Sequence, residues 1–248
     1  MNDELDFARE VQSRITAQGN EMDLVSSANK FLEAGLKTKY IYNFSWLGRP
    51  IIQTPQDIVA LQEIIFRIKP DLIIDIGIAR GGSIVFFASL LELNALYGGN
   101  RAAKVLGVEI DLRAHNRSAI EASPLSKRIE LIDGSSLNPD VISQVAKLTE
   151  NEKTVMVCLD SLHTHAHVLA ELEVYSKFVT NGSYCIVFDT SIEGMEDSLF
   201  KDRPWKTGDS PGSAVKEFLS NEQAFVIDES INDQLVFTMN KNGYLKRT

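Results

Sequence analysis

Five short, mostly apolar runs alternate with longer runs of helical periodicity through the middle of this chain, and that alternation limits the fold more than any other feature. The apolar runs are 71–76, 104–110, 128–132, 154–159 and 184–188, and the helical ones between them are 83–96, 113–122, 139–148 and 165–179. A strand without a polar face must be covered on both sides, which predicts a mostly parallel sheet with helices on each face, an α/β fold. The C-terminal part breaks the rhythm. There, 214–219 reads as a helix, and 224–227 and 235–239 read as two strands suited to an antiparallel hairpin at the sheet edge. Ahead of the sheet, 3–35 predicts amphipathic helices and 43–55 a loop, while Ile58, Leu61, Ile64, Ile65 and Ile68 mark a helix over 56–68 that stops before Pro70. The chain thus divides into an N-terminal helical segment and loop, 1–55, and one ligand-binding domain, 56–248.

Open parallel sheets bind ligands beyond the carboxyl ends of their strands. The first apolar run ends in Asp75-Ile76-Gly77-Ile78-Ala79-Arg80-Gly81-Gly82-Ser83. Gly77 and Gly81 remove side chains where a ligand must approach the backbone around Ala79 and Ser83; Asp75 can accept from a ligand ammonium or brace the turn. The plain alternative is a tight strand-to-helix turn with no ligand. At the end of the second strand, Glu109 is placed to hold both hydroxyls of a ribose, with Asp111 one step further into the loop. Dinucleotide-binding turns follow G-x-G-x-x-G, whereas the glycines here are spaced Gly77-x-x-x-Gly81-Gly82. The wider turn lacks a compact pyrophosphate cradle and points to S-adenosylmethionine rather than NAD. After the third strand, Asp133-Gly134-Ser135-Ser136 puts Ser135 within reach of an adenine edge, with a solvated turn as the alternative.

The fourth strand ends in Leu159-Asp160-Ser161-Leu162-His163 and the fifth in Phe188-Asp189-Thr190. Asp160 could bind a divalent metal or the cofactor's ammonium, and Asp189 would sit beside it; two carboxylates from adjacent strand ends suit magnesium. His163 could take a proton from an acceptor hydroxyl, since the unperturbed pKa of a histidine is close to cellular pH. The bland reading of each carboxylate is a helix cap. His163, His165 and His167 would share a face on a strand, but on a starting helix they fan apart by ~200° per step, which argues against a three-histidine site. The segment 190–213 is long for a loop, and its Arg203-Pro204-Trp205 offers a guanidinium for an anionic group and a ring for a sugar face.

Composition excludes several classes. A net charge of −9 disfavours nucleic acid, which needs a basic face. Cys158 and Cys185 lie in apolar runs and read as buried reduced thiols rather than a disulfide or zinc site. No run approaches the ~20 apolar residues of a membrane span, and no basic-then-apolar leader opens the chain, so a cytoplasmic location is expected.

These blocks together resemble the cephalosporin hydroxylase family, which despite its name contains class I S-adenosylmethionine-dependent O-methyltransferases, including rhamnosyl O-methyltransferases. The resemblance runs from about Trp46 to Phe225. It rests on Trp46-Leu-Gly48-Arg-Pro50 with Gln53 and Asp57, on Asp75-x-Gly77-x-x-x-Gly81-Gly82-Ser83, on Gly107-Val-Glu109-Ile-Asp111, on Asp160-Ser161-x-His163, on Asp189-Thr190 and on Arg203-Pro204-Trp205. It implies a Rossmann-like seven-stranded sheet with a reversed terminal hairpin, and methyl transfer to a hydroxyl of a sugar or secondary metabolite, often assisted by magnesium. It also implies that Gly77 and Gly81 line the methionine part of the cofactor, that Glu109 holds its ribose, and that Asp160 and Asp189 fall on metal positions. One departure stands out: relatives often place an acid just before the aspartate of the fifth strand, where this chain has Phe188, so that Thr190, Glu193 or waters would have to complete a metal site.

The expected activity is direct in-line transfer of the sulfonium methyl, with His163 or a metal-bearing Asp160 and Asp189 activating the acceptor. An NAD-dependent sugar oxidoreductase would use the same sheet and ribose acid, but the compact glycine spacing and a Tyr-x-x-x-Lys pair at the fourth strand are missing. A binding module that keeps the sheet without chemistry is the non-enzymatic rival. The amphipathic N-terminal segment could serve a homodimer.

Overall fold

The computed structural model describes residues 3–248, so the first two positions of the N-terminal segment lie outside the described residues. Two helices open it, α1 (Asp3–Gly19) and α2 (Met22–Lys37), as the amphipathic pattern predicts. A 3-10 turn, Tyr40–Asn43, then leads into strands β1 (Phe44–Trp46) and β2 (Arg49–Ile51). The expected loop over 43–55 is thus largely an antiparallel hairpin. Leu47 and Gly48 take φ of 46° and 80°, the left-handed pair that closes a two-residue turn. Strands of three residues, one holding Pro50, carry too little alternation to announce themselves.

Helix α3 (Pro55–Ile68) begins with Pro55 in its first turn and the Thr54 hydroxyl accepting the Asp57 N–H at 3.2 Å. The expected rhythm follows: β3 (Leu72–Ile76), α4 (Gly82–Leu96), β4 (Lys104–Glu109), α5 (Ala114–Glu121), β5 (Ile129–Asp133), α6 (Pro139–Thr149), β6 (Val155–Leu159), α7 (His165–Tyr175) and β7 (Tyr184–Val187). The chain ends with α8 (Pro211–Asn221), β8 (Phe225–Ile227), α9 (Glu229–Leu235) and β9 (Tyr244–Arg247). Seven strands form one sheet in the order β5-β4-β3-β6-β7-β9-β8. Its first five strands are parallel, and β9 runs antiparallel to both β7 and β8.

The terminal hairpin is therefore present, but its second strand is not 235–239. Leu235 ends α9, Val236 turns the backbone with φ 64°, and the strand lies further on at β9. A short apolar run can be a helix end as readily as a strand, and here tertiary packing decides.

The parallel strands are apolar on both faces because each face meets a helical layer. Ile73 of β3 joins Ile65 of α3 and Phe86 and Leu91 of α4 on one side, while Ile74 joins Leu172 and Tyr175 of α7 and Phe218 of α8 on the other. Cys158 and Cys185 are buried free thiols, as read from the sequence. Among the described residues no helix is long and apolar enough to cross a membrane.

Candidate functional site

Strand order reverses at β3, which has β4 on one side and β6 on the other, and the loops leaving these strands part to form a crevice. One wall is the glycine turn. Asp75 is 1% exposed and its Oδ2 accepts from Ser83 Oγ at 2.7 Å, so it braces the turn from beneath. Burial pushes its carboxyl up to about 8 against the Ser83 bond, and repulsion from Asp160 and Glu109 adds to the rise. Gly77 has φ 88°, and a Cβ there would lie 2.1 Å from the Asp160 carbonyl oxygen. Only glycine lets the loops after β3 and β6 meet so closely. Ala79 is held at φ 45°, an unusual conformation for alanine, and its N–H donates to Glu109 Oε2 at 2.8 Å.

Asp75, Gly77, Ala79, Gly81, Ser83 and Glu109 thus gather around one turn. Asp111 joins them only through its backbone N–H, which donates to Glu109 Oε1 at 3.2 Å, while its carboxylate is mostly exposed and pairs with Arg113 at 3.1 Å. Ser135 stands in the loop after β5, its Oγ accepting the Leu137 N–H at 3.4 Å.

The opposite wall carries Asp160, His163 and Asp189, each offering a ligand atom within 4.8 Å of the others. His163 Nε2 lies 3.2 Å from Asp160 Oδ1, and Nδ1 lies 3.1 Å from Asp189 Oδ2. The second contact is close but misaligned, leaving Nδ1 buried without a hydrogen-bond partner. Burial pulls the imidazole pKa down, yet the Asp189 carboxylate and the bond to Asp160 outweigh it and push the ring up to about 10. Burial raises Asp160, while its bond to His163 opposes that rise. Asp189 sits at φ 57°, so both walls hold a non-glycine residue in the left-handed region.

Two carboxylates and an imidazole in reach of one point, with a buried nitrogen lacking an aligned partner, fit a divalent cation. Thr190 and Glu193 do not complete this set. Thr190 Oγ donates to the Lys241 carbonyl at 2.7 Å, and Glu193 Oε2 accepts from Ser210 Oγ at 2.6 Å and the Gly208 N–H at 2.9 Å. His165 is also engaged elsewhere, with Ser213 at 2.8 Å and Glu217 at 3.0 Å, so the three histidines share no site.

The segment 190–213 is packed rather than open, with 3-10 turns at Thr190–Gly194 and Asp197–Phe200. It lays the Trp205 ring 4.8 Å from His163, and the Arg203 guanidinium stands 5.3 Å from the Trp205 ring centre. Arg203 Nη2 donates to the Tyr42 hydroxyl at 3.3 Å, which joins the segment to the turn before β1. A cavity of about 410 Å³ opens elsewhere, between α2, α9 and the turn after β7, and neither crevice wall lines it.

Three polar residues escaped the sequence reading of the site. Gln53 donates from Nε2 to Asp160 Oδ2 at 3.3 Å. Asn116 accepts from Arg49 Nη2 at 3.1 Å and donates to the Ala79 carbonyl at 3.2 Å, clamping β2 onto the glycine turn. Glu171 is fully buried, and its Oε1 accepts from Ser136 Oγ at 2.6 Å and Ser161 Oγ at 2.7 Å, with His167 Nε2 at 3.1 Å. It ties the loop after β5 to the loop after β6. A charge on the apolar stripe Val168, Leu172, Tyr175 of α7 was the available signal.

The sequence matches the family model rhamnosyl O-methyltransferase/CmcI over residues 38–248. The rhamnosyl O-methyltransferase of Mycobacterium leprae is 28% identical over 157 residues, which span 62% of this chain and 64% of that protein, a little under two thirds. The rhamnosyl O-methyltransferase of Mycobacterium tuberculosis (strain ATCC 25618 / H37Rv) is 26% identical over 212 residues, spanning 82% of this chain and 78% of that protein. Among solved structures, CmcI with Mg and SAM superposes with a TM-score of 0.58 at 14% identity, covering 84% of this chain and 77% of that one. An O-methyltransferase from Bacillus cereus in complex with SAH gives a TM-score of 0.51 at 17% identity, covering 82% and 81%. These likenesses show the same fold.

Proposed function

This chain belongs to the rhamnosyl O-methyltransferase/CmcI family, and from that premise we propose that it is an S-adenosylmethionine-dependent O-methyltransferase acting on a hydroxyl of a sugar or another small-molecule acceptor. The observation that carries this reading is the meeting of the two walls. A glycine turn braced by Asp75 and Glu109 faces a cluster of Asp160, His163 and Asp189, and Gly77 holds the two against each other. The turn and Glu109 would take the methionine and ribose parts of the cofactor, and Ser135 its adenine edge.

A sulfonium methyl is already activated by its charge, so the protein's work is to align it with the acceptor oxygen and ease loss of the acceptor proton. Asp160 and Asp189 would hold a divalent ion, which when bound lowers the pKa of a hydroxyl beside it. His163 stands between these carboxylates, under the Trp205 ring. Trp205 offers a face for stacking and Arg203 a cation for an anionic substituent of the acceptor. The homologous rhamnosyl O-methyltransferases support a sugar hydroxyl as the first acceptor class to try.

Calorimetry of the purified protein is expected to show binding of S-adenosylmethionine and S-adenosylhomocysteine. A methyl-transfer assay over nucleotide sugars, glycosides and phenols, with and without EDTA, then identifies the acceptor and the need for metal. Absence of cofactor binding at high micromolar concentration, or binding of NAD in its place, would overturn the proposal.

A further inference from the structure

We propose that Asp160, His163 and Asp189 form a mixed oxygen–nitrogen site that takes a borderline divalent transition ion, such as manganese(II), iron(II) or cobalt(II), ahead of magnesium. The inference rests on the reading of this cluster as the acceptor-activating side of the crevice, and it assigns His163 as a ligand.

The donor chemistry carries it. Phe188, the residue before Asp189, is 2% exposed and packed in the core, so it brings no donor to the cluster. Thr190 and Glu193 are turned away into hydrogen bonds with Lys241, Ser210 and Gly208. Glu171 is engaged with Ser136, Ser161 and His167, and Asp75 lies buried beneath the glycine turn against Ser83. Among the His, Cys, Asp and Glu side chains of the described residues, the one that reaches both Asp160 and Asp189 is the His163 imidazole.

Its ring is wedged between them, and Nδ1 is buried without an aligned partner. The Trp205 ring lies 4.8 Å away, and Gln53 holds Asp160 by Oδ2, leaving Oδ1 turned toward the histidine. Magnesium demands near-octahedral oxygen ligands and keeps most of its waters, so two carboxylates hold it weakly. Imidazole nitrogen adds affinity in the order manganese, iron, cobalt, nickel and adds little for magnesium. One nitrogen and two carboxylates also leave coordination positions open for water or an acceptor hydroxyl.

The test uses the 248-residue chain stripped with EDTA and titrated with cobalt(II) chloride, followed by its visible absorption bands and by equilibrium dialysis. One cobalt per chain is expected, with magnesium chloride displacing it only in large excess. His163→Gln should weaken cobalt binding at least about tenfold while leaving magnesium binding unchanged. His163→Asp, which makes the set all-oxygen, should reverse the preference toward magnesium. Circular dichroism and melting temperature confirm that each variant is folded. Cobalt binding unchanged in a folded His163→Gln protein, displacement by equimolar magnesium, or no metal uptake at all would each overturn the proposal. Cofactor calorimetry in EDTA keeps the two readings apart: adenosylmethionine binding without metal selectivity sinks this inference and leaves the methyltransferase reading standing.

Discussion

Two strongly perturbed titratable groups of the crevice, Asp75 and His163, act on stability in the same direction. Asp75 has a folded pKa of about 8 against an ordinary 3.8, chiefly through burial, so the folded chain holds that proton more tightly than the unfolded one. Its contribution is complete below pH 3.8 and is lost as pH rises through about 8. His163 gains its carboxylate neighbours and moves from 6.5 to about 10, so its contribution is lost over a higher window of the same sign. Glu92, Glu193 and Asp228 are held low, by Arg128, by Ser210 and by Ser230 respectively, each against the rise from burial; their stabilisation is present above the ordinary carboxylate range and changes little above pH 5. Melting temperature should therefore fall between pH 5 and pH 9. Asp75→Asn resembles the neutral acid and can still accept from Ser83. It should remove the lower part of that fall, so that the variant melts below or with the native protein at pH 5 and above it at pH 8. Scanning calorimetry across this range checks the sign, and an unchanged slope would mean that Asp75 titrates as an ordinary carboxyl.

The β1–β2 hairpin shows at the level of the element how the glycine turn is held from outside the sheet. Trp46 Nε1 donates to Ser89 Oγ at 2.9 Å and its ring stands edge-on to Phe86, while Arg49 donates to the Arg80 carbonyl and to Asn116. The hairpin comes so near α4 that a Cβ on Gly82 would lie 2.0 Å from the Pro50 carbonyl oxygen. Gly82→Ala should thus lift the hairpin, cost roughly 1–3 kcal/mol, and weaken cofactor binding because Arg49 and Asn116 brace the turn itself. Gly194→Ala, whose Cβ would meet nothing within 4 Å, serves as the control in denaturation and calorimetry. This contact also marks where the sequence becomes opaque. Strands β3 to β7 were legible because apolar residues on both faces have few other uses, and Glu109, Asp160, His163 and Asp189 followed as the polar residues at their ends. The hairpin, the position of β9 and the roles of Gln53, Asn116 and Glu171 depend on partners distant along the chain. Periodicity carries no record of such pairings, and a short, mostly apolar run such as 235–239 that follows from a helix end looks the same as one in a strand.

Across the whole molecule, the two ends of the chain fasten each other while the crevice is built between them. The Gln18 amide donates to the Asp233 and Gln234 carbonyls at 2.8 Å, and Phe31 of α2 packs against Phe237 at 5.5 Å, which seats the N-terminal helices on the C-terminal segment. Beneath that contact lies Asp57, fully buried at the start of α3. It accepts from the Tyr244 hydroxyl at 2.8 Å, the Met239 N–H at 3.1 Å and the Thr238 hydroxyl. One carboxylate thereby fixes the course of 238–244, and with it the entry of β9 between β7 and β8. Burial raises its pKa against all of these bonds. Removing the acceptor orphans several buried donors at about 1–3 kcal/mol each, so Asp57→Ala should destabilise by about 3 kcal/mol or more in urea unfolding, with the slope unchanged. Tyr244→Phe removes a single donor and should cost about 1–2 kcal/mol. Because both substitutions break the same node, the double variant should fall short of the sum of the two. Strict additivity would show instead that Asp57 and Tyr244 act separately, and that the chain's last strand is held by the sheet alone.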